Sequence, residues 1–222
     1  MKKKISALIF AAFCLFSFSS IHTDYSWKLV KSKEGIKVYT RNIKGKDIKA
    51  LQMKSEITGQ SLSSFVALFQ DLDSYKKWVY SSDETKLLKR YSQSEILYYI
   101  RSDFPWPLSD RDFVVHNKIW QDPNTLSFYS QSDIFNGYLD EKDDCVRVKD
   151  FTATWIITPT TNGKYKLHYT FESDPGGDVP SWLVNAFLDV GPFKTIKGME
   201  KAAKDKKYKY KRYSFIKELE IE

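Results

Sequence analysis

Hydrophobic and polar residues alternate along much of this chain with a period of two. In residues 111–121, Phe113, Val115, Asn117 and Ile119 share one parity, and Val114, His116, Lys118 and Trp120 share the other. That alternation predicts a long strand with one face in a core. Pro105 and Pro107 flank Trp106 and cannot donate ladder hydrogen bonds, so the chain reaches this strand through an extended, kinked corner. Further strands are predicted at 36–43 and 48–58, joined by a Gly45-Lys46 turn, and at 85–91 and 95–103. After the Asp122-Pro123-Asn124 turn, 126–131 returns. A long strand at 146–158 and a last one at 166–173 flank the Asn162-Gly163 turn, while Asn136-Gly137 and the acidic residues 140–144 read as an exposed loop.

Four stretches repeat at helical spacing instead. Asp24 precedes a short helix carrying Trp27 and Val30. Ser61 caps a helix in which Leu62, Phe65, Val66 and Phe69 fall at i, i+3, i+4 and i+7. Asp73 caps a third with Tyr75, Trp78 and Val79. The fourth starts at Asp178, with Pro180 tolerated in its first turn. Trp182, Leu183, Ala186, Phe187, Val190, Phe193, Ile196 and Met199 form its apolar stripe, interrupted at Gly191-Pro192 because Pro192 removes a backbone bond. Antiparallel strands with few helices and a final amphipathic helix predict the α+β class.

The first residues change the picture of where the protein works. Lys2, Lys3 and Lys4 precede an apolar run at 5–18 that is too short to be a comfortable permanent anchor. Ser17 and Ser19 occupy the small-residue positions of a cleavage site, so residues 1–19 read as a signal peptide and the product as exported, periplasmic or secreted. A lipoprotein signal at Cys14 is disfavoured by the bulky Phe13 before it. Cys145 is then alone, which excludes an internal disulfide and argues against a cysteine-rich metal site.

Three of the seven surplus positive charges belong to that leader, and the rest are too few to argue for nucleic acid. One stretch stands out: residues 194–212 hold nine basic residues and two acids. Lys194, Lys197, Lys201 and Lys204 recur at helical spacing, either as a solvated face or as a surface for anionic lipid head groups.

Enzyme signatures are missing. The sequence has no G-x-S-x-G, H-E-x-x-H, G-x-G-x-x-G or Walker loop. His22 lies beside the cleavage site, and His116 and His168 sit opposite the apolar parity, which points them to solvent. Asp110, Arg111 and Asp112 read as a structural ion cluster at the start of the long strand.

Pro107-Leu-Ser-Asp-Arg-Asp-Phe-Val-Val115 resembles the central motif of START domains, the lipid-transfer domains related to steroidogenic acute regulatory protein. Trp155-Ile-Ile-Thr-Pro159, the Gly163-Lys164 turn and Asp174-Pro-Gly-Gly-Asp-Val-Pro-Ser-Trp-Leu-Val-Asn185 form a second match, and Trp27 with Glu34-Gly-Ile-Lys-Val-Tyr-Thr-Arg41 a third. The resemblance implies a helix-grip fold in residues 20–215: a curved antiparallel sheet wrapped around a long C-terminal helix, with an internal apolar cavity. It implies a monomer that binds or transfers a lipid or other apolar small molecule without a cofactor or metal. Trp78, Phe113, Val115, Phe128, Trp155, Tyr169, Phe171, Trp182 and Phe187 are then candidates for the cavity wall. Six residues after the R-D-F arginine, where steroid-binding members carry a buried arginine, this chain has Asn117, whose amide suits a ligand hydroxyl or carbonyl. The alternative is a cyclase or aromatase on the same fold, which would need a base inside the cavity. The tail, 216–222, carries no evident role.

Overall fold

The two-residue periodicity becomes one large sheet in the structure, a computed structural model that describes residues 25–177, 179–180 and 190–220. The strands are β1 (Lys28–Lys33), β2 (Ile36–Asn42), β3 (Lys49–Ile57), β4 (Ser82–Arg90), β5 (Glu95–Ser102), β6 (Asp110–Gln121), β7 (Phe128–Ile134), β8 (Cys145–Arg147), β9 (Asp150–Pro159) and β10 (Tyr165–Asp174). Their order across the curved sheet is β1-β2-β3-β10-β9-β7-β6-β5-β4, all antiparallel. β8 pairs in parallel with the start of β6, off this path. Three helices are described: α1 (Leu62–Gln70), α2 (Tyr75–Trp78) and α3 (Gly191–Ala202). The α+β class, with a large antiparallel sheet and a C-terminal helix, is the observed one. Among the described residues no helix is long and apolar enough to cross a membrane.

Alternation assigns every strand an inner and an outer face. The inner face carries the main core: Leu51 and Met53 of β3, Ile96, Tyr98 and Ile100 of β5, Val115 and Ile119 of β6, Trp155 and Ile157 of β9, and Leu167 and Tyr169 of β10. α1 lies against one end of it. Ser61 caps that helix and forms a reciprocal pair of bonds with Ser64, and Phe65 packs edge-on to Tyr165 with ring centroids 5.0 Å apart. The outer face has only a small cluster, Leu97, Tyr99 and Val114.

The chain departs from its sequence reading in five places. Trp27 and Val30 lie in and beside a strand, β1, rather than a helix. Glu34 and Gly35 both have positive φ, 50° and 77°, the backbone of a tight hairpin turn, and pairing with β2 overrides the weak helical spacing. Asp73 is not a cap: it lies within a 3₁₀ turn, Leu72–Ser74, that runs into α2. Leu126 stays outside β7, held at a φ of 54°. The long strand expected at 146–158 is split, because β8 turns aside to pair with β6 before β9 begins. Pro192 sits in the first turn of α3, where a missing N–H breaks no helical bond. The leader, Asp24, Asp178 and residues 181–189 lie outside the described residues.

The tail is docked. The Glu218 carboxylate accepts from the Leu62 and Ser63 N–H groups at 2.7 and 2.9 Å, so it neutralises the positive end of α1. Gln121 brackets Lys217 by bonding both its N–H and its carbonyl.

Candidate functional site

Inner-face positions of successive strands stack their rings into one row. Phe128 contacts Phe69 of α1 at 5.5 Å between centroids, and Phe69 contacts both Trp78 and Trp155. Trp155 stacks on Tyr169 at 3.9 Å, Tyr169 leans on Phe171, Phe171 meets Phe151 at 5.7 Å, and Phe151 meets Phe113 at 5.4 Å. Of the candidate wall residues, the structure thus brings together Trp78, Phe113, Phe128, Trp155, Tyr169 and Phe171. Val115 lies beside them in the core. Trp182 and Phe187 are outside the described residues. The row changes character along its length. From Phe128 to Tyr169 the rings are buried, whereas Phe171, Phe151 and Phe113 are half-buried although they pack on the same core.

A polar strip crosses the inner face next to the row. Tyr75 Oη donates to the Phe69 carbonyl at 2.7 Å. Tyr98 hydrogen-bonds Tyr75 and Ser132, and burial pushes its hydroxyl up to about 12. Asn117 is buried, but its amide nitrogen is committed within the sheet. It donates towards Ser130 Oγ at 2.8 Å, Ser132 Oγ at 2.9 Å and the Gln131 carbonyl at 3.0 Å. The donor that the sequence reading offered to a ligand therefore bridges β6 to β7. Trp78 Nε1, by contrast, is a buried donor without a partner among the described residues.

Neither β-strand histidine reaches this face. His116 Nε2 is 2.7 Å from Glu95 Oε1 on the outer face, and the ring lies edge-on to Tyr91 and Phe135. His168 pairs opposite Lys54, and burial, aided by that lysine, holds it below its ordinary value. Both side chains are half-buried rather than free in solvent.

Asp110, Arg111 and Asp112 do not pair with one another, because alternation sends neighbours to opposite faces. Asp110 accepts from Arg101 at 2.8 Å on the outer side. Asp112 forms a buried two-pronged pair with Arg147 at 2.7 and 3.0 Å. Burial raises the Asp112 carboxyl, but the Arg147 guanidinium more than offsets this and leaves it below the ordinary range. Cys145 sits beside that pair, and burial, with Asp112 next to it, pushes the thiol up to about 11, so it is an unreactive packed group. Arg111 points inward and donates to the carbonyls of Ser109, Pro175 and Gly176, the last two at 3.2 and 3.1 Å.

The basic face of α3 is partly neutralised. Lys197 pairs with Glu34 at 3.3 Å, Lys204 with Glu200 at 3.7 Å, and Lys194 lies 4.6 Å over the Tyr80 ring. Lys201 is exposed. Across the Pro175-Gly176 turn, a surface cleft of about 430 Å³ is bordered by the charged Glu141, Lys149, Asp150 and Asp174 and by the apolar Val146 and Cys145.

Sequence reasoning put Phe69 on the apolar stripe of α1 but not among the wall candidates, and it missed Tyr98, Phe151 and Glu218. Phe151 shares the parity of Trp155 and was legible from that spacing; Tyr98 likewise alternates with Ile96 and Ile100. No local signal marks Glu218, whose partners lie 155 and 156 residues away.

Known proteins share this fold. Residues 21–209 match the START domain family. The chain is 32% identical over 178 residues to an uncharacterised protein of Pseudomonas aeruginosa, covering 80% of this chain and 86% of that one. It is 24% identical over 186 residues to the phosphatidylcholine transfer protein of Mus musculus, covering 82% and 86%. A solved STAR-related lipid transfer protein of Xanthomonas axonopodis superposes with a TM-score of 0.73 at 26% identity, covering 80% of this chain and 98% of that one. By the match over most of its length, by the shared fold and by the ring-lined inner face of its sheet, the chain belongs to the START domain family.

Proposed function

We propose that this protein binds one lipid or other apolar small molecule against the inner face of its sheet and releases it chemically unchanged. The observation that carries the reading is the row Phe113, Phe151 and Phe171, which continues a fully buried row but is itself only half-buried. Transfer of apolar ligand surface from water to such a wall contributes about 25 cal/mol per Å², so a few hundred Å² supports useful affinity before ordering costs. Family membership and the transfer proteins among the relatives support the same ligand class. Among the described residues, His116 and His168 lie on the outer face, away from the place where a catalytic base would act.

The wider role follows from this reading. The leader sends the protein out of the cytoplasm, where a monomeric carrier would move its ligand between membranes. The exposed lysines of α3, Lys201 foremost, would then meet anionic head groups transiently.

Mass spectrometry of organic extracts from the purified protein tests the core of this proposal. One apolar molecule per chain, exchangeable for a fluorescent fatty acid or sterol that is recovered intact, is the expected result. Protein that carries nothing and binds neither probe would overturn it. A probe recovered chemically altered would replace binding by catalysis of the cyclase kind.

A further inference from the structure

Arg111 is only 2% exposed, and no ion pair among the described residues includes it. The two carboxylates beside it in sequence are taken on the opposite face, Asp110 by Arg101 and Asp112 by Arg147. Three carbonyl groups and the face of Phe104, 4.6 Å away, are what the guanidinium touches. The acids across the turn are also held elsewhere: Glu141 by Lys149, Asp150 by Lys46, and Asp174 by the Gly176 N–H. Burial of an uncompensated cation is expensive, and buried charges are as a rule paired. A guanidinium has five N–H donors, and three are accounted for by Ser109, Pro175 and Gly176.

Position gives this surplus charge a meaning. Arg111 shares its strand face with Phe113, two residues and about 7 Å further along β6. Phe113 opens the half-buried row that continues through Phe151 to Phe171. A buried guanidinium that Asp110 attracts from the other face, but that makes no ion pair among the described residues, therefore stands at the half-buried end of the apolar wall.

We propose that Arg111 receives the anionic head of the bound molecule. A carboxylate or phosphate-ester oxygen accepts from its remaining N–H groups, while the hydrocarbon chain lies along Phe113, Phe151 and Phe171. This assignment rests on the lipid-binding reading above and narrows it to single-chain acidic lipids. The carbonyl cage holds the fork of the guanidinium in place before the ligand arrives, so little ordering cost remains on binding.

Three probes on the same chain test it: pyrene-labelled hexadecanoic acid, its methyl ester, and the corresponding alkyl phosphate. Wild-type protein should bind the acid roughly 10- to 100-fold more tightly than the ester, the span of a charge-assisted hydrogen bond. Arg111→Met should lose at least about tenfold more affinity for the acid than for the ester. The phosphate tells which head fits better, and competition by inorganic phosphate alone tells whether the chain is needed. Equal affinity for acid and ester in the wild type, or an unchanged preference in the variant, would overturn the assignment and leave lipid binding standing. Binding of no probe would remove both. Should Arg111→Met fail to fold, the wild type still decides. The bound acid, labelled with ¹³C at its carboxyl, should titrate about one unit or more below its midpoint in vesicles, and an equal or higher midpoint would overturn the proposal.

Discussion

The two ends of the inner face are built from the same alternation and the same residue types, yet they finish differently. At one end Phe128, Ile157, Tyr165 and Ile57 lie under α1, with Phe65 and Phe69 filling the space above them. Two remote segments, the tail and α3, tie down that cover and its surroundings. Glu218 caps α1, Thr195 of α3 accepts from the Tyr80 N–H at 3.0 Å, and Glu200 accepts from Thr58 through both its N–H and its hydroxyl. At the other end Phe113, Phe151 and Phe171 have strand neighbours but stay half-buried, and Arg111 makes no ion pair among the described residues. One end is closed over by packed rings, while among the described residues the rings at the other stay half-buried.

The largest effect should come from cutting one ring at each end. Phe128→Ala should cost about 3–5 kcal/mol, and Phe151→Ala no more than about 2 kcal/mol. Urea midpoints at constant slope measure both, and equal losses would erase the difference between the ends. Ligand affinity should move the opposite way, falling more for Phe151→Ala.

Gly198 sharpens the comparison next. An added Cβ would stand 2.7 Å from the Trp78 carbonyl oxygen, a backbone contact that cannot swing aside. Gly198→Ala should therefore cost about 1–3 kcal/mol by overpacking. At Gly191 the contact is the Tyr80 side chain at 3.2 Å, which can turn away, so Gly191→Ala should be near neutral. A harmless Gly198→Ala in thermal unfolding would mean that α3 is not seated tightly on α2.

Loss of the tail's cap should be smaller. Glu218→Ala should cost about 1 kcal/mol, and hydrogen exchange should speed up first at Leu62 and Ser63. Unchanged protection there would show that the tail adds nothing to the covered end.

The smallest effect should come from the outer face. His168 is held below its ordinary value, so as pH falls the unfolded chain takes up a proton first. Its contribution is present above the ordinary imidazole range and is lost as pH drops from that range towards the folded value. His168→Gln should flatten this part of the urea-midpoint profile, and an unchanged slope would clear His168 of the effect.

Strand periodicity, turn residues and the Ser61 cap made most of the sheet and α1 legible before any coordinates, because each depends on neighbours within a few positions. Alternation put Phe113, Val115 and Asn117 on one parity, but it could not say which parity of each strand turns to the core. It could not say that Asn117 would be occupied by Ser130 and Ser132, since those hydroxyls come from another strand. The reading of β1 as a helix failed for a related reason: six residues with weak periodicity take the structure their pairing partner imposes.

What the sequence determined by itself was the set of local choices: which segments are extended, where they turn, and which side chains share a face. Only the tertiary structure decided how those faces are used. It took the carboxylates of Asp110 and Asp112 to the outer side and left Arg111 inside with no ion pair among the described residues. It also brought Glu218 back to α1 and left three phenylalanines half-covered. The physical reason is range. Backbone preference acts over a few residues, whereas desolvation and charge pairing depend on what the folded chain brings within a few ångströms.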